Sequence, residues 1–162
     1  MEQIPLTREE RQLKSLMKLW TFLFGLGAVA FLLFGDWILY SGNYFSVEIM
    51  KWSLPAMPQP AEKFWLSLTV SMMATITMIA YYIQSDVRAN MVLTSFLLVS
   101  KLTSTSVMFS AFFWDRPYFN YLMGSIFCDG PIFLITLFFY RRAVRSLMPA
   151  CLKTQKTPSG KA

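Results

Sequence analysis

The stretch that decides the fold is MVLTSFLLVSKLTSTSVMFSAFF, residues 91–113. Lys101 is its only charge, and about 20 such residues form a helix long enough to cross the hydrocarbon core of a bilayer. Lys101 falls near the middle. A charge at that depth costs at least about 2.5–3.5 kcal/mol on insertion scales, so it normally faces a partner or a polar cavity.

Three more apolar stretches of similar length stand around it, at about 19–40, 64–83 and 118–140. The last carries Asp129 near its middle. The segments between them are polar or rich in proline. Residues 41–63 hold Pro55, Pro58 and Pro60, and within them Phe45, Ile49, Trp52 and Leu54 alternate with Glu48 and Lys51. That pattern predicts a short interfacial helix. Residues 84–90 and 114–117 are short turns, which force the helices they join to run antiparallel.

Basic residues set the direction. Arg8, Arg11, Lys14 and Lys18 precede the first stretch, Arg88 sits in the 84–90 turn, and Arg141, Arg142, Arg145, Lys153, Lys156 and Lys161 follow the last. The other side has only Lys51, Lys63 and Arg116. The positive-inside rule then places both termini in the cytoplasm. Trp20, Trp37, Trp52, Trp65 and Trp114 fall near span ends, where aromatic residues sit at the membrane interface. The expected fold class is an all-α integral membrane protein, a four-transmembrane-helix antiparallel bundle with cytoplasmic termini.

Three regions follow: an amphipathic amino-terminal segment (1–18), the membrane domain (19–145) and a basic, disordered tail (146–162). In the first, Thr7 is placed to N-cap a helix with Glu10 as its capping-box partner. Leu13, Leu16, Met17 and Trp20 lie at helical spacing, which suits a segment on the membrane surface. No small-residue cleavage site follows the first apolar stretch, so it reads as a retained span. For a bacterial protein the inner membrane would be the natural location.

Composition supports this organisation. The 162 residues are 55% hydrophobic, 17% aromatic and 15% charged, a balance outside the range of ordinary soluble domains. The net charge of +6 lies at the termini, so it points to membrane orientation and not to nucleic acid. The absence of histidine excludes bis-His haem ligation and removes the usual zinc ligand and general base. Cys128 lies in an apolar stretch and Cys151 in the polar tail, and no metal-ligand spacing or Cys-x-x-Cys exists. No metal or cofactor is expected.

The chemistry concentrates in a polar seam. Stretches three and four run in opposite directions, so Lys101 and Asp129 come to similar depth on adjacent helices. Thr94, Lys101 and Thr105 share a face of the third stretch, with Ser104 beside them. Ser125, Asp129, Thr136 and Tyr140 share a face of the fourth. Gly130-Pro131 follows Asp129 directly. Pro131 has no N–H and crowds the preceding turn, so a kink or opened turn is expected there. Ser67, Ser71 and Thr75 recur every four residues in the second stretch, which allows close helix approach. Gly25, Ala28 and Gly35 form a small-residue strip in the first.

The expected function is binding or transport of a small polar or amphipathic ligand, including a lipid, in a cavity around Lys101 and Asp129. Thr94, Ser104, Thr105, Ser125 and Thr136 would line it. Two other readings compete. A buried Lys–Asp pair can serve only to fix helix register, as in an accessory subunit of a larger membrane complex or a homo-oligomer. An intramembrane enzyme would need Asp129 as acid or base, or a Ser104–Lys101 nucleophile pair, and has no identifiable oxyanion donor. The bilayer is the one partner the composition demands.

Overall fold

The computed structural model describes residues 5–51, 53, 55–59, 63–115 and 117–155, with side chains through 147. Trp52, Leu54, Pro60, Glu62, Arg116 and the end of the tail at 156–162 lie outside the described residues, as does the Cys151 side chain. Every regular element described is helical, and four of the helices are long and apolar enough to cross a membrane.

Thr7 starts the first helix as its capping box requires. Its Oγ1 accepts from the Glu10 N–H at 3.2 Å, and Glu10 Oε2 accepts from the Thr7 N–H at 2.6 Å. The helix α1 (Arg8–Tyr44) then runs for 37 residues, about 55 Å at 1.5 Å per residue and well beyond the hydrocarbon core of about 30 Å. The amphipathic segment is therefore the first part of the span helix. Leu13 and Met17 are fully buried in the helical core instead of resting on a surface. The apolar face expected to meet lipid headgroups meets neighbouring helices.

Near its other end α1 kinks at Phe34, where φ is −130° and ψ 22°. Beyond Tyr44 the helix loosens into a π-type turn, Phe45–Ile49. The chain then leaves it through Lys51 at a φ of 52°. This replaces the separate interfacial helix expected for 45–54: the helical part is a continuation of α1 and ends by Ile49.

The other elements are α2 (Phe64–Ser85), α3 (Met91–Trp114), α4 (Phe119–Met123), a π-type segment (Gly124–Asp129) and α5 (Gly130–Gln155). The fourth apolar stretch is thus broken, and its last helix continues past the expected end at 140 into the region read as tail. Contacts run α1–α2, α2–α3, α3–α5 and α5–α1, closing a ring. The α1–α2 contact is the most extensive. Glycines allow it: a Cβ on Gly35 would lie 2.7 Å from Leu66 Cδ1, and one on Gly27 would lie 3.2 Å from Met73 Sδ. The opposite face of α2, with Ser67, Ser71 and Thr75, is exposed. The four-residue spacing identifies a face correctly, but the face points away from the bundle.

One end of the bundle is tied by charge. Glu10 is fully buried, and Arg88 from the turn after α2 holds both its oxygens: Nε to Oε1 at 2.6 Å and Nη2 to Oε2 at 2.8 Å. Arg88 Nη2 also donates to the Pro5 carbonyl at 3.1 Å. The Asp86 carboxylate shapes that turn by accepting from the N–H groups of Arg88 and Ala89. Hydrogen bonding to Arg88, opposed by burial and helped by Thr7, holds the Glu10 carboxyl below its ordinary value. Thr7 Oγ1 meets Ser146 Oγ at 3.2 Å, which brings α5 to the same end.

At the other end Asn43 acts as a clamp on the loop that follows α1. Its Nδ2 donates to the Met57 carbonyl at 2.7 Å, and its Oδ1 accepts from the Met57 N–H at 3.1 Å. Asn120 Nδ2 adds a contact to Asn43 Oδ1 at 3.3 Å. Asp36, just beyond the kink, forms an exposed ion pair with Lys63 at the start of α2.

Candidate functional site

Lys101 comes from α3, where a helix that is apolar on most sides carries it inward with Thr94 and Leu97. Asp129 is the last residue of the π-type segment. There the N–H of Gly130 bonds to the carbonyl of Ser125, five residues back. Two features of the sequence produce that wider turn. Pro131 lacks the N–H that an α-helical turn would use. Gly130 has no Cβ, and one added there would lie 2.4 Å from the Ser125 oxygen, closer than any side chain can come. A π-type insertion adds a residue to the turn and redirects the side chains on it.

The two charges meet. Lys101 Nζ donates to Asp129 Oδ1 at 2.8 Å, with side chains only 8% and 15% exposed. The ammonium also lies over the ring of Phe24 from α1, 4.8 Å from its centroid. Both contacts offset part of the cost of burying an ammonium in a low-dielectric setting.

The hydroxyls around the pair fall into two sets. Thr94 Oγ1 and Thr105 Oγ1, on the face of α3 that carries Lys101, are buried with no hydrogen-bond partner among the described residues. Thr136 and Ser125 already have partners. Thr136 Oγ1 accepts from the Trp20 indole N–H at 3.0 Å, joining α5 to α1. Ser125 Oγ donates to the Leu122 carbonyl at 3.2 Å. Ser104 is half-buried and makes no hydrogen bond among the described residues. Tyr140 reaches Ser95 on α3, 3.1 Å between hydroxyl oxygens. Of the residues singled out by sequence, Lys101 and Asp129 pair with each other, and Thr94, Ser104 and Thr105 have no hydrogen-bond partner among the described residues. Thr136 and Tyr140 join helices, and Ser125 bonds within its own turn. Phe24 and Trp20 were missed, since their roles depend on how α1 rotates against α3 and α5.

A cavity of about 460 Å³ opens at the far end, between Leu39, Met57, Pro58, Trp65, Asp115, Tyr118 and Tyr121. The clamped loop forms one wall through Met57 and Pro58. Neither Lys101 nor Asp129 lines it. The roomy space and the charge pair are therefore separate features, whereas the sequence had suggested one cavity around the pair.

Four membrane-length helices enclosing a charge pair and unpartnered hydroxyls define a multi-pass membrane protein with a polar interior. Comparison with protein-family models, curated proteins and solved structures gives no match to this chain.

Proposed function

We propose that this protein binds a small polar or amphipathic ligand within the membrane, at the seam between α3 and the π-type turn, and passes it between the two sides. The helices run antiparallel in this reading, with the end bearing Arg8, Arg88 and Arg145 in the cytoplasm. The observation that carries the proposal is the pair of buried, partnerless hydroxyls, Thr94 Oγ1 and Thr105 Oγ1, flanking Lys101. A buried hydroxyl without a partner costs about 1–3 kcal/mol. A polar guest beside Lys101 can partner Thr105, one turn away, and meets Thr94, about 10 Å along the helix, as it passes. Lys101 offers it a cation, and Asp129 holds the lysine until the guest arrives. The 460 Å³ cavity supplies a vestibule on the far side.

A charge pair kept only for helix register makes a different forecast. Replacing both members by apolar residues of similar volume is then neutral or stabilising. The test compares wild type, Lys101→Met and the double variant Lys101→Met/Asp129→Leu by native mass spectrometry from mild detergent. Wild type should carry a small-molecule adduct, and both variants should lose it while the double variant stays folded. Phospholipid retained alike by all three forms does not count; the same further adduct on wild type and the double variant, or no further adduct on wild type, overturns the proposal and leaves the register role.

A further inference from the structure

At the end of the bundle that carries Glu10 and Arg88, α1 and α5 leave an open groove of about 570 Å³. Its polar part is Arg8, Arg11, Gln12 and Ser15, and its apolar part is Leu16, Leu19 and Phe139. The α1 members fall at intervals of three and four residues, so they make one face of the helix. Along that face the chemistry changes in order, from cationic through neutral polar to apolar. The change is completed over about 16 Å from Arg8 to Leu19. An anionic headgroup followed by acyl chain has the same order and a comparable length.

The charges here are available. Glu9 lies 3.9 Å from Arg142, and Glu10 is held by both arms of Arg88. Arg8 and Arg11 are exposed, and among the described residues neither has a carboxylate within ion-pair distance. Gln12 Oε1, a side-chain oxygen of the same groove, is buried without a hydrogen-bond partner among the described residues. It is an acceptor in need of a donor, and a phosphodiester has no O–H to give. The missing group is a headgroup hydroxyl.

We infer that this groove is a binding site for a phospholipid of net negative charge whose headgroup carries a hydroxyl. Arg8 and Arg11 take the phosphodiester, Gln12 accepts from the hydroxyl, and one acyl chain lies along Leu16, Leu19 and Phe139. The site is separate from the Lys101–Asp129 seam and does not depend on it.

The test reconstitutes the full chain in nanodiscs of equal parts phosphatidylglycerol, phosphatidylmethanol (an anionic phosphodiester without a hydroxyl) and phosphatidylcholine with the same acyl chains. Lipid retention after release is counted by native mass spectrometry, with and without excess inorganic phosphate. Wild type should retain phosphatidylglycerol over phosphatidylcholine by about tenfold or more, the scale set by two arginines at an anionic surface. Arg8→Gln/Arg11→Gln should abolish that preference, while Arg8→Lys/Arg11→Lys keeps most of it. Gln12→Leu should remove the preference for phosphatidylglycerol over phosphatidylmethanol. Lys101→Met should leave lipid retention unchanged, which separates this site from the seam. Equal retention of all three lipids overturns the inference, as does an unaltered preference in the Arg8→Gln/Arg11→Gln variant. Displacement of the lipid by inorganic phosphate also overturns it and marks a site for a soluble anion.

Discussion

At the scale of single residues, several buried polar groups each decide a contact between elements. Thr136 is the acceptor for the Trp20 indole at 3.0 Å, inside the packed interface of α1 and α5. Thr136→Val keeps the shape and removes the oxygen, leaving a buried donor unmet. The expected loss is about 1–2 kcal/mol, read from unfolding in mixed micelles. Glu10 gives a pH-dependent case. Arg88 holds its carboxyl below the ordinary value in the folded chain. A depressed folded pKa contributes stability above the unfolded value, about 4.3 for a glutamate. That stability is lost as pH falls through the folded value. Wild type should therefore exceed Glu10→Gln by about 2 kcal/mol at pH 7. The gap should narrow from about pH 4 downwards. A gap independent of pH would mean that Glu10 acts through packing alone.

At the scale of elements, the departure from regular helix at Gly124–Asp129 matters most. Asp129 faces Lys101 from the end of a turn that is wider than an α-helix, and Gly130 and Pro131 together require that width. In Gly130→Ala the new methyl meets the Ser125 oxygen, which belongs to the backbone and cannot swing aside. The variant should lose about 1–3 kcal/mol, as overpacked sites do. It should also weaken the Lys101–Asp129 contact, visible as a loss of the difference in stability between Lys101 and Lys101→Met backgrounds. An additive combination of the two changes would show that the turn and the pair are independent. The sequence made this element partly legible. Pro131 announced a break, and equal depth on neighbouring helices announced the pairing. Depth follows from counting residues, but rotation does not. Hence Phe24 under the ammonium has no signature in the sequence, and the Ser67–Ser71–Thr75 spacing, which allows close helix approach, does not tell that the face is exposed. The same limit applies at Thr136, whose helical face was clear and whose partner Trp20 was not.

At the scale of the whole molecule, the two ends of the ring of helices are fastened by different chemistry. The Glu10 end uses a buried bidentate ion pair, and the far end uses amide groups. There Asn43 bonds to Met57 through both backbone groups, holding irregular chain against the end of α1 as a second strand would. Such a contact has no periodic signature, which is why 41–63 was readable as a loop but its fixed position was not. The held loop is also one wall of the 460 Å³ cavity, so the clamp determines whether that space is closed or open. Asn43→Ala removes the acceptor of the Met57 N–H and the donor to its carbonyl. Two neutral hydrogen bonds contribute about 1–2 kcal/mol together where solvent has partial access. Opening of the loop should then become about tenfold more frequent, since 1.4 kcal/mol is a factor of ten. Hydrogen exchange at the Met57 amide reports that opening directly, and the amides of Leu13 and Met17 at the opposite end should be unaffected. Asn120→Ala removes two weaker contacts, to Asn43 Oδ1 at 3.3 Å and to the Met57 sulfur at 3.7 Å, and should give a smaller increase at the same amide. If Met57 exchanges at the wild-type rate in Asn43→Ala, packing of Met57 and Pro58 against Leu39 and Tyr121 holds the wall without the clamp.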